Sequence, residues 1–152
     1  MQTSDAVRES FFFRGMTPHQ IDTLLSLAQE KRFIGGETIV RQFDQAKDIL
    51  IIMSGEVRVK GFQGEDLALL GPGSVLGEIS LVDNSPRSAT VISKGDTTVA
   101  VIPTSKMADY MEQDPSLKAS VYENLSRLLC SRLRNANIQL DAALNARGML
   151  ND

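Results

Sequence analysis

The sequence predicts an α+β domain: helices, then a small β-barrel or jelly roll, then helices again. Three observations predict it. Between Arg32 and Pro103 the chain consists of short β-rich runs, divided by turn residues at intervals of about ten, the spacing of a sandwich or barrel. On either side, apolar residues recur at helical spacing behind recognisable caps. Finally, 152 residues with 42% apolar and 23% charged side chains suit one globular domain, with room for a helical extension. The expected organisation is a helical segment over 1–31, the roll over 32–103 and further helices of the same domain over 104–152.

Residues 5–14 are expected to form a short helix contributing Phe11, Phe12 and Phe13. In "MTPHQIDTLLSLAQE", Thr17 is placed to cap a helix whose first position is Pro18, with Ile21, Leu24, Leu25 and Leu27 on its apolar side. Gly35–Gly36 closes the helical region. "ETIVRQ", "DILIIMSG", "EVRVKG", "DLALLGPG", "SATVIS" and "TTVAVIP" are the strand runs. "EVRVK" alternates apolar and polar residues, whereas "ILIIM" is continuously apolar, as a strand covered on both faces must be. "TSKMADYMEQ" begins a helix capped by Thr104 or Ser105. Asp114 caps the next, with Pro115 in its first turn. This last helix is expected to run roughly 30 residues and to end before Gly148.

The bulk properties remove several classes of function. A net charge of −3 advertises no nucleic-acid surface. Cys130 is the sole cysteine, so no internal disulfide can form, which suits a reducing cytoplasm. No run approaches the roughly 18 apolar residues of a membrane span, and the charged start has no leader pattern. His19 is the sole histidine and lies far from Cys130, so neither a metal site nor a Cys–His pair is expected. Ser85 and Ser88 have no partner base. The chain is expected not to be an enzyme and to need no cofactor.

The chemistry concentrates in "GEISLVDNSPRSATV", Gly77 to Val91. Arg87 follows Pro86, which fixes the backbone before a planar cation suited to bidentate contact with phosphate. Ser88 and Ala89 are small enough for a ligand to approach their amides. "GEISLV" can form one helical turn, with Ile79, Leu81 and Val82 turned inward to anchor it. Glu78 would repel a phosphate, but it can accept from a neutral hydroxyl such as that of a ribose. Taken as isolated residues, Glu78 and Arg87 read first as a surface ion pair across a loop, and it is the whole string that changes this.

The longer string "GSVLGEISLVDNSPRSATV" resembles the phosphate-binding cassette of the cyclic-nucleotide-binding domain family: Gly-Glu, an apolar residue, a small residue, Leu, a variable loop, then Pro-Arg, a small residue, Ala and a small residue. The resemblance extends from about Phe11 to Leu140. It implies an eight-stranded antiparallel β-roll (jelly roll) with N-terminal helices, a short cassette helix and a long C-terminal helix. It implies that Arg87 binds the cyclic phosphate and that Glu78 accepts from the ribose 2′-hydroxyl. Backbone N–H groups at Gly77, Ser88 and Ala89 would complete the polar shell, with Ile79 anchoring the turn and Ser80 letting it lie close to the sugar. Three departures stand out. In the loop "QFDQAKD", Phe43 replaces a residue that is commonly Gly, a change expected to alter loop shape more than the pocket. Leu76 replaces a frequent aromatic. Transcription factors of the family continue into a helix-turn-helix domain, whereas this sequence ends at Asp152 and reads as the receptor domain alone, either natural or cut from something larger.

The purine needs a further surface, which in the family comes from the C-terminal helix. At about 100° per residue, Val121, Leu125, Leu128 and Arg132 share one stripe, while Arg127 and Arg134 point away. Arg132 is therefore expected to face the roll and stack on the base, or else to snorkel to solvent, with Asn135 and Gln139 flanking it. Leu129, Leu133, Ala136, Leu140 and Ala143 form a separate heptad-like seam, fit for a partner helix such as the chain's own copy or for packing on the roll.

The expected function is that of a cAMP or cGMP receptor domain that signals to an effector protein by repositioning its C-terminal helix. In the family, Thr after the cassette Arg favours guanine; Ser88 stands there, and the reading leans to cAMP. The alternatives are an interaction module of the same fold without ligand binding, and a receptor for a cyclic dinucleotide. Intact Glu78 and Arg87 weigh against the first. A second phosphate meeting Glu78 weighs against the other.

Overall fold

A computed structural model of the chain describes residues 5–83 and 86–151, the side chains of 149–151 excepted. Asn84 and Ser85 of the cassette loop and residues 1–4 of the N-terminal segment lie outside the described residues. The elements in order are α1 (Asp5–Arg8), a 3-10 turn (Phe11–Phe13), α2 (Pro18–Ser26), β1 (Gln29–Phe33), β2 (Thr38–Val40), β3 (Ile49–Ser54), β4 (Val57–Lys60), β5 (Asp66–Leu70), β6 (Val75–Leu76), a 3-10 cassette turn (Glu78–Leu81), β7 (Thr90–Ser93), β8 (Thr97–Ile102), α3 (Thr104–Gln113) and α4 (Pro115–Asn151). The strands form two four-stranded sheets, β1-β8-β3-β6 and β2-β7-β4-β5, and every pairing is antiparallel. This is the eight-stranded roll flanked by helices that the family resemblance implies.

β3 explains the continuous apolar run. Ile49, Ile51 and Met53 join Phe12, Leu24, Met107, Leu117, Val121 and Leu125 in a core between the first sheet and the helices. Leu50 and Ile52 face the other way, into the roll, with Val99 and Val101 or with Val57 and Val91. The helices are therefore fastened to the outer face of the sheet whose inner face closes the roll. Asn124 of α4 strengthens this: buried, its Nδ2 donates to the carbonyls of Phe12 (3.0 Å) and Arg14 (2.9 Å).

α2 begins as its sequence predicts. Thr17 accepts from the Gln20 amide, and the Gln20 side chain accepts from the Thr17 amide, a reciprocal cap behind Pro18. Elsewhere the helices depart from expectation. The helix expected over 5–14 splits, because the Ser10 hydroxyl accepts from the Phe12 amide and starts a new 3-10 turn. α3 has Pro103 at its cap position, and Thr104 is already helical, its Oγ1 buried without a partner. α4 spans 37 residues and runs through Gly148, so that glycine is not a stop. Glycine inside an exposed helix costs about 1 kcal/mol, which does not suffice to end it. Two strands are absent from the six sequence runs. β1 is polar and begins at Gln29, ahead of the change of texture at Arg32, and β6 is two residues long.

Candidate ligand site

The cassette joins β6 to β7. Gly77 turns the chain with φ 75, and a Cβ there would lie 2.6 Å from the Asp48 carbonyl and against Nη1 of Arg87. Only glycine allows both the turn and this approach. Ser80 donates its amide to the Gly77 carbonyl and closes the 3-10 turn. Leu81 packs against the core under the helices, and Ile79 is half-buried. Val82, expected to turn inward, is 53% exposed, because the turn has ended at Leu81.

Arg87 is 9% exposed. Its Nη2 donates to the Asp48 carbonyl at 2.6 Å, its Nη1 lies 3.5 Å from the Ser80 hydroxyl, and its Nε has no partner. It takes part in none of the salt bridges among the described residues. Burial pushes its pKa below the ordinary arginine value, against the pull of Asp48, Asp44 and Glu78. Its main chain is clamped too: the Arg87 amide donates to the Asp44 carbonyl (2.9 Å), and the Phe43 amide donates to the Arg87 carbonyl (2.8 Å). The departure at Phe43 therefore reaches the site, beyond altering loop shape. Gln42 holds the next residue, its Nε2 donating to the Ser88 carbonyl at 3.2 Å.

Glu78 is 2% exposed and does not pair with Arg87 across a surface loop. Its Oε1 accepts from Nη2 of Arg132 on α4, at 2.7 Å. Arg132 follows half-buried Leu128 by one turn and reaches Glu78 with its own side chain 54% exposed, whereas Arg127 pairs with Glu123 on the same helix. In this structure the Arg132 guanidinium is engaged with a carboxylate, whereas the sequence reading has it stack on a base or snorkel free.

Gly77, Glu78, Ile79, Ser80, Arg87, Ser88, Ala89 and Arg132 all line one cleft of about 670 Å³, a volume typical of small-molecule sites. Apart from Asp83, its remaining wall is apolar and comes largely from the second sheet: Val40, Val59, Ala68, Leu70 and Val91. Sequence reasoning missed this wall, although the alternation of "EVRVK" marks Val57 and Val59 as sharing a face. It also missed the Asp48 carbonyl, for which no residue-type signal exists. The cleft thus offers a desolvated cation with an unused donor, a buried carboxylate some turns of chain away and an apolar wall. That set can hold an anion joined to a hydroxyl-bearing ring and a flat apolar group.

The sequence profile described as the cyclic nucleotide-binding domain matches residues 30–114, which includes the whole cassette. The chain belongs to this family. It is 35% identical over 139 residues to the cyclic AMP receptor protein of Thermus thermophilus, covering 89% of this chain and 62% of that protein. The chain thus spans about three-fifths of that relative. The crystal structure of Thermus thermophilus catabolite activator protein superposes with a TM-score of 0.75 at 33% identity, over 87% of this chain and 62% of that one. Glutaminase 2 of Bradyrhizobium diazoefficiens is 29% identical over 122 residues, which make up 80% of this chain but 19% of the enzyme. The domain therefore also occurs as a minor part of a protein named for a different activity.

Proposed function

We propose that the cleft receives a cyclic mononucleotide, cAMP in preference to cGMP, as a regulatory signal, and performs no chemistry on it. The observation that carries this reading is Arg87: a buried guanidinium with an unpartnered Nε and no carboxylate paired to it. Such a group is expensive to bury unless an anion completes it. The phosphate sits on Arg87 and the backbone of Gly77, Ser88 and Ala89, and the ribose 2′-hydroxyl donates to Glu78. Support for cAMP comes from Ser88 in place of threonine and from the name of the Thermus relative.

Glu78 already has a partner in Arg132. A ribose hydroxyl arriving at Glu78 competes for the same carboxylate and leaves Arg132 to turn onto the purine. The ligand thereby exchanges one attachment of α4 for another and shifts the population of helix positions, by as much as it binds one better than the other. The exposed seam of α4, with Leu129, Leu133 and Leu140, supports pairing with a second copy, through which helix movement would reach an effector. A thermal-shift panel of cAMP, cGMP, c-di-GMP and AMP tests the reading. At one hundred times Kd, cAMP should add about 2.7 kcal/mol, with AMP nearly inert. No shift with either cyclic mononucleotide at millimolar concentration rules the proposal out.

A further inference from the structure

Phe43 has φ 71, and among the described residues it alone combines a side chain with a left-handed backbone. A bulky residue is disfavoured there by the clash of Cβ with its own backbone, so the surrounding structure must hold it in place. Its amide donates to the Arg87 carbonyl, and the following residue both accepts from the Arg87 amide and closes a turn onto the Arg41 carbonyl (3.2 Å). The Phe43 ring packs edge-on against Phe62, with centroids 6.1 Å apart and planes at 77°. Yet Phe43 is 63% and Phe62 73% exposed, so burial does not account for the pair.

The sheet topology shows what the rings join. β7 lies between β2 and β4, with Val40 opposite Val91 on one side and Lys60 opposite Thr90 on the other. Phe43 follows the end of β2 and Phe62 follows the end of β4. Two loops from opposite neighbours of β7 therefore meet where the chain leaves the cassette, just after Arg87. We propose that Phe43 and Phe62 form a clasp that holds the Arg87 main chain, and hence its guanidinium, in position for the phosphate. This rests on the reading of the cleft as a nucleotide site. Both phenylalanines are positioning residues that act through Arg87. The clasp also explains why this chain keeps a strained phenylalanine where glycine would relax the turn.

The test uses the full chain with Phe62→Ala, Phe43→Ala, the double variant and Phe62→Tyr. An exposed aromatic pair is worth about two- to tenfold in an equilibrium. Amide hydrogen exchange at Phe43 and Arg87 without ligand should quicken by about that factor in Phe62→Ala, and cAMP affinity should fall by about the same factor. Phe62→Tyr, which keeps the ring, should restore both. The double variant should lose no more than either single one. Unchanged exchange at these amides in Phe62→Ala, or losses that add in the double variant, overturn the clasp. Should the parent bind neither cyclic mononucleotide, the exchange measurement still decides: quickened amides uphold the clasp while the nucleotide reading falls.

Discussion

Arg87 holds its place with fewer partners than its chemistry demands. Its guanidinium has five N–H donors in a rigid fork, yet its good contact within the protein is one carbonyl, that of Asp48. Removing the side chain strips a ligand of a charge-assisted contact worth about 1.5–3 kcal/mol. The ligand-free fold changes less, because a desolvated cation with an unused donor disappears together with one hydrogen bond. Arg87→Ala is therefore expected to weaken cAMP binding about ten- to hundredfold in calorimetry, with a much smaller change in the melting of the unliganded chain. Equal affinity in parent and variant would show that the phosphate lies elsewhere. Glu78 has the opposite character. It is buried but satisfied, by an Arg132 whose side chain is 54% exposed and free to take another partner.

At the scale of the element, α4 is packed along its first turns and exposed from Leu129 onward, where Arg132 still reaches back to Glu78. Asp114 caps it, with Oδ1 accepting from the Leu117 amide at 3.2 Å and Oδ2 accepting from the Gln20 side chain at 2.9 Å. The Gln20 hydrogen bond, then that of Leu117, holds the Asp114 carboxyl below the ordinary aspartate value. A carboxyl depressed in the folded state contributes stability at pH values above its unfolded value, about 3.9, and loses it as the pH falls through the folded value. Asp114→Asn keeps a capping oxygen but has no proton to gain. The melting temperatures of parent and variant should therefore draw together as the pH is lowered from 5 towards 3. A constant difference across that range would show that the depressed carboxyl contributes nothing. Further along, Val121 and Leu125 are buried, and from Leu129 through Gly148 every residue is exposed.

That exposed stretch is a property of the whole molecule. Leu129, Leu133, Ala136, Leu140 and Ala143 fall within about 80° of arc, with Leu144 beside them and no charged residue among them. Leu133 is 63% and Leu140 57% exposed. A line of leucines left in water along the free part of a helix suits a facing helix of the same kind. Sedimentation equilibrium should give a dimer, and Leu133→Glu combined with Leu140→Glu should give a monomer that still melts cooperatively, since neither residue belongs to the core. A monomeric parent at high concentration, with and without cAMP, would leave the seam without its proposed partner.

The sequence by itself determined the helix–roll–helix order, six of the eight strands and the identity of the family. Strand alternation, helix periodicity, the Thr17–Pro18 and Asp114–Pro115 starts and the string around Glu78 and Arg87 are local patterns, and local sterics and hydrogen bonding act on them directly. The eight candidate residues line one cleft, because the cassette carries seven of them within thirteen positions and the eighth stands on α4. Tertiary structure alone decided the rest. The polar strand β1 exists because β8 supplies its hydrogen bonds, residue against residue from Gln29 to Phe33. Arg87 rests on the carbonyl of Asp48, a group every residue possesses and none advertises. Glu78 meets Arg132 across 54 positions, and Phe43 meets Phe62 across a strand that belongs to neither. Such contacts depend on where two sheets and a helix come to rest against each other, which no short window of sequence encodes.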